Sequence, residues 1–131
     1  MSRPIRDVDI ETYDELTAHV RAVFDTGAHI SIIREDRLPK GTNVERRKNP
    51  IRLRTAGRGG TLEVVGGVIL VMTIEGRMIQ DEVQVSPDLS QEMLIGAKTM
   101  QAWDITIRNE NGNTQVVVGK DLRDPDIQEV D

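Results

Sequence analysis

The chain has 131 residues, of which 37% are apolar and 30% charged, and a formal net charge of −5; this suits one domain with a usable hydrophobic core. It contains no cysteine, which excludes disulfides, a thiolate nucleophile and a cysteine–metal site. Tyr13, Phe24 and Trp103 are its only aromatic residues, so the core must be built from Ile, Val, Leu and Met, a composition that favours strands.

The opening residues, MSRPIRDVDIETYDE, hold no apolar run and do not form a signal peptide. Residues 1–17 read as a partly ordered arm, and a cytoplasmic location is expected. The apolar stretch from Ala18 to Phe24 predicts a strand leading into an acid, and Ile30 to Ile33 predicts a second short strand. Arg34 to Pro50 reads as a loop, broken by Pro39, Gly41, Asn43, Asn49 and Pro50. Ile51 to Thr55 alternates as a half-buried strand, Ala56 to Gly60 as a hairpin tip, and Thr61 to Val65 as the returning strand. Val68 to Ile74 is apolar on both faces, as in a central strand; at Glu75-Gly76-Arg77 the chain turns, and Met78 to Val85 pairs back. Leu94 and Ile95 form a short strand, Ala97 to Trp103 a helix, and Asn111-Gly112 joins Ile105–Arg108 to Thr114–Val118 as a hairpin. The acidic residues 119–131 read as a loose tail. No stretch approaches the ~18 apolar residues that span a membrane. Many short strands spaced by turn signals point to a small closed β-barrel or a sandwich.

Asp25-Thr26-Gly27 places an acid between apolar strands in AVFDTGAHISII. A carboxylate there is costly unless it is paired, hydrogen-bonded or used for chemistry. Gly27 permits close backbone approach, and Thr26 offers a small hydroxyl. Asp and Gly also favour ordinary turns, so the tripeptide alone does not decide between loop and site.

Its setting does. Asp25-Thr26-Gly27-Ala28 between strands resembles the active-site motif of aspartic proteases of the retroviral, retropepsin-like type. Leu94-Ile95-Gly96 before a short helix resembles a second family segment, and the Gly-rich stretch from Thr55 to Val64 falls where the family carries its flap. The matches keep the family's order over residues 18–118. The resemblance implies an all-β closed barrel of retropepsin type with one short helix near 97–103, and an aspartic endopeptidase with Asp25 catalytic. Thr26, Gly27 and Ala28 would support it, Thr26 by locking two elbows across a dimer axis. Ala56, Gly57, Arg58, Gly59 and Gly60 would form the flap, and Leu94, Ile95 and Gly96 the helix-turn segment.

There is one Asp-Thr-Gly in the chain, so a dyad needs a second copy: a homodimer acting on a peptide or protein, with no cofactor and no metal. The alternative is a weak or inactive dimer of the same fold serving as a peptide-binding module.

Other signals are weaker. Arg58-Gly59-Gly60 lacks the Lys-Ser/Thr and the strand-to-helix setting of a phosphate loop. His19 and His29 have no helical partner for a metal, and Ser31 has no evident His-Asp support. Between Arg34 and Arg58, nine basic residues face three acids, giving +6 against −11 elsewhere. Without interleaved aromatics this patch is a solvated edge rather than a nucleic-acid surface.

Overall fold

The computed structural model describes residues 3–55 and 60–125. In chain order the strands are β1 (Ile5–Glu11), β2 (Thr17–Phe24), β3 (Ile32–Arg34), β4 (Glu45–Arg54), β5 (Thr61–Ile74), β6 (Arg77–Ser86), β7 (Met93–Ile95), β8 (Ile105–Glu110) and β9 (Asn113–Val118). The one α-helix among the described residues, α1, spans Ala97–Ala102.

Six strands close on themselves. The sheet runs β1-β2-β7-β3-β6-β5, and β5 pairs back to β1 through Ile10↔Met72 and its neighbours. The length of β5 makes this closure possible. Its first half pairs with β4 and its last residues with β1, while β6 runs antiparallel along Gly66–Ile74. Alternation fills the barrel: Val68, Leu70, Met72 and Ile74 of β5 are buried in its core, and Ile69 and Thr73 on the other parity are not buried. Val8, Val20, Phe24, Ile79, Val83, Met93 and Ile95 complete the core. Burying each such side chain stabilises the fold by about 1.5–3 kcal/mol.

Four sequence expectations change. The segment read as an arm contains β1, whose inward Val8 and Ile10 are 0% and 1% exposed; they are the only apolar residues on that parity, so the flanking acids masked the strand. The segment read as a loop to Pro50 ends earlier, because β4 starts at Glu45 and carries Asn49 and Pro50 through a register shift between Arg46 and Ile51. Among the described residues β4 pairs only with β5, and an edge strand tolerates proline and welcomes basic side chains. Here the positive segment finds its place, with Arg46 paired to Glu35 and Arg52 to Glu63. The two strands read in 61–74 are one, continuous through Gly66, where an added Cβ would lie 2.4 Å from the Glu45 carbonyl oxygen. The tail is docked through Asp121 to Arg123, since Asp121 accepts the Met78 N–H at 3.1 Å and grips Arg123, whose guanidinium reaches the Gly76 carbonyl at 3.2 Å. The turns at Glu75-Gly76 and Asn111-Gly112 have positive φ at both central residues, as tight hairpins require.

Candidate active site

β2 ends on buried Phe24 and delivers the chain to Asp25. There it runs parallel to β7, with Phe24 opposite Ile95, and the Asp25 N–H donates to the Ile95 carbonyl at 3.0 Å. The elbow then closes on itself: the Ala28 N–H donates to the Asp25 carbonyl at 3.1 Å, and the Gly27 N–H to Asp25 Oδ1 at 2.9 Å. The carboxylate is held by its own loop rather than left to rotate. Its side chain is 16% exposed, and Arg3 Nη1 lies 3.2 Å from Oδ2. Thr26 and Gly27 are exposed at the surface of the single chain.

A strap locks the elbow from below. Ala97 N–H donates to the Ala28 carbonyl at 2.7 Å, and Lys98 N–H to the His29 carbonyl at 3.0 Å. Gly96 admits this packing, because a Cβ there would sit 2.3 Å from the Ile30 carbonyl oxygen. Leu94, Ile95 and Gly96 are buried. The two sequence segments singled out for Asp25 and Gly96 are thus brought into direct backbone contact.

The flap candidates fall differently. Ala56, Gly57, Arg58 and Gly59 lie outside the described residues. Gly60 is at the hairpin base, where its carbonyl accepts from the Thr55 N–H and hydroxyl, both at 3.0 Å. One face of this hairpin presents Leu53 and Leu62, paired across the strands, to Ile30, Ile32 and Leu89. This second apolar cluster joins the hairpin base to the strand leaving the Asp25 loop.

His29 is exposed on the elbow, and His19 pairs with Asp9 across β1 and β2 on an exposed face. No group of three or more His, Asp or Glu side chains among the described residues is placed to hold a metal ion. Trp103 packs against the core and donates its indole N–H to the Gln80 carbonyl at 3.1 Å. No helix among the described residues is long and apolar enough to cross a membrane. Sequence reasoning missed Arg3, whose partner lies 22 positions away and is reached only because β1 pairs with β2. It also missed Asp81, although an acid on the apolar parity of a strand, between Ile79 and Val83, was a readable signal.

A six-strand barrel carrying an acid on a glycine elbow, strapped by a Gly-led helical turn, defines the retropepsin-like class. The chain belongs to the retroviral aspartyl protease family, whose model matches residues 1–108. Among solved structures it is similar to EIAV protease in complex with the inhibitor HBY-793, at 20% identity over 77% of this chain and 88% of that one, with a TM-score of 0.52. It is also similar to the retroviral protease-like domain of Ddi1 from Leishmania major, at 19% identity over 97% of this chain and 99% of that one, with a TM-score of 0.59. No curated protein matches the chain by sequence.

Proposed function

We propose that the chain is an aspartic endopeptidase, active as a homodimer in which two Asp25 carboxylates form the dyad. The observation that carries this reading is the restrained Asp25 side chain, fixed by the Gly27 N–H and set beside exposed Thr26 and Gly27. One chain supplies one such acid, and a two-fold axis between identical elbows supplies both. Two carboxylates about 3 Å apart share a proton. The ionised member takes a proton from water as the water attacks the peptide carbonyl. The protonated member donates its proton to that carbonyl oxygen, giving a gem-diol. As the C–N bond breaks, the first member, now carrying the proton from water, protonates the leaving nitrogen, and a diol hydroxyl returns its proton to the second. These proton transfers are carried by the carboxylates themselves. Residues 56–60, which join β4 to β5 along the chain, would close over the peptide, and the Leu53–Leu62 face would offer it apolar contact.

The test is peptide hydrolysis by the purified protein, which Asp25→Asn abolishes while the dimer persists in sedimentation. Hydrolysis that survives Asp25→Asn contradicts the assignment.

A second reading is favoured by the Arg3–Asp25 pair. A guanidinium on Oδ2 neutralises the acid, as suits a module that binds peptides without cutting them. In that case wild type and Asp25→Asn bind peptides alike and neither cleaves.

A further inference from the structure

Beneath the strap runs a chain of buried hydroxyls. The Gly96 N–H donates to Ser31 Oγ at 3.0 Å, Ser31 Oγ lies 2.6 Å from Thr99 Oγ1, and Thr99 Oγ1 donates to Asp81 Oδ2 at 2.7 Å. Ser31 is 3% exposed and Thr99 1%. A hydroxyl has one proton to give. That of Thr99 is committed to the Asp81 carboxylate, so Ser31 is the donor in the middle contact, and its lone pair receives the Gly96 N–H. The chain therefore has one polarity and ends on an acceptor. The second Asp81 oxygen also accepts, from the Glu82 N–H at 2.8 Å. Only a carboxylate accepts at both positions; an asparagine would turn an NH2 group toward one of the two donors.

We infer that Asp81 is a positioning residue for Asp25, acting through Thr99 and Ser31 on the strap that holds the Asp25–His29 loop. The inference rests on the reading of Asp25 as the acid of a peptidase. Asp81 lies on β6, opposite Leu70, and touches neither Asp25 nor its loop. Its carboxylate fixes the Thr99 hydroxyl, which fixes Ser31, which holds the Gly96 amide. The strap's backbone bonds to residues 25, 28 and 29 then set where the Asp25 carboxylate points. Misplacement of a reacting group by about 1 Å costs on the order of 100-fold in rate, so small shifts of this strap matter to the chemistry.

The variants are Asp81→Asn, Thr99→Val and Thr99→Ser. Asp81→Asn and Thr99→Val should each lower kcat about 10- to 100-fold with KM changed less than about twofold, because the defect lies in positioning. Thr99→Ser keeps the hydroxyl and should stay near wild type. The double variant Asp81→Asn/Thr99→Val should be no worse than either single change, since both cut the same chain. A wild-type kcat in Asp81→Asn, or a double variant whose loss is the product of the two, overturns the inference. Should Asp81→Asn fail to fold, the Thr99→Val and Thr99→Ser pair makes the same comparison. Amide hydrogen exchange supplies a readout apart from catalysis: in Asp81→Asn, exchange should quicken at the amides of Asp25, Gly96, Ala97 and Lys98 and not at Val116. If the wild type cleaves no peptide, the peptidase reading fails, and exchange still decides the anchoring; unchanged exchange at those four amides overturns it.

Discussion

Arg3 and Asp25 form an ion pair within one chain, with Nη1 3.2 Å from Oδ2, while Oδ1 accepts the Gly27 N–H at 2.9 Å. Both carboxylate oxygens therefore have partners before a second copy arrives. In the proposed dyad the other Asp25 approaches these same oxygens, so the Arg3 guanidinium must swing aside. The Arg3 side chain is 58% exposed, and pairs of this kind contribute about 0.2–1 kcal/mol. Arg3→Ala should tighten the dimer by up to about fivefold per copy and raise specific activity in dilute protein. Sedimentation over a concentration series checks this; a dimer that is unchanged or weaker counts against the competition.

Gly96 is the least replaceable residue of the strap. A methyl group there meets the Ile30 carbonyl oxygen at 2.3 Å and its carbon at 2.6 Å, and these are backbone atoms that cannot turn away. Gly96→Ala should lower thermal stability by several degrees and abolish peptide cleavage. Circular dichroism melts and a peptide assay on the same preparation test both parts, and a variant with wild-type melting would show that the strap yields.

Asp121 gives a pH-dependent contribution to stability. The Arg123 guanidinium, helped by the Arg123 and Met78 N–H groups, holds the Asp121 carboxyl well below the usual carboxylate range. A carboxyl lowered in the folded state stabilises it above the unfolded value of about 3.9 and loses that effect as pH falls toward the folded value. Asp121→Asn should therefore melt a few degrees lower than wild type at pH 7, and the gap should narrow as pH drops below about 4. A gap that stays constant from pH 7 to pH 3 would mean that the carboxylate's charge plays no part in docking the tail.

How much of this was legible in the sequence depended on how local the signal was. The Asp25 elbow, the Asn111-Gly112 hairpin and the short helix after Gly96 declare themselves within a few residues, because turn chemistry and an acid set between apolar strands leave a local mark. β1 was hidden because Val8 and Ile10 alone mark its inner parity among the acids that surround them. β4 was hidden because Asn49 and Pro50 break a strand's local pattern and are admitted by an edge position that only the tertiary pairing reveals. The Arg3–Asp25 pair and the Asp81–Thr99–Ser31 chain join residues 18 to 68 positions apart, and only the tertiary pairing of strands brings such partners together.

The proposed flap role of residues 56–60 is tested by restricting their backbone. If they close over substrate, Gly59→Val with Gly60→Val should slow peptide turnover by raising KM, with Asp25 untouched. Turnover at the wild-type rate would remove residues 56–60 from the catalytic cycle.

The dyad itself is tested most directly by mixing. Wild-type chain is combined with increasing amounts of Asp25→Asn chain at constant total concentration, allowed to exchange subunits, and assayed for peptide cleavage. If each active site needs an Asp25 from both copies, activity falls as the square of the wild-type fraction, to about one quarter in an equal mixture. A linear fall to about one half would mean that one chain's Asp25 suffices, and would contradict the shared site.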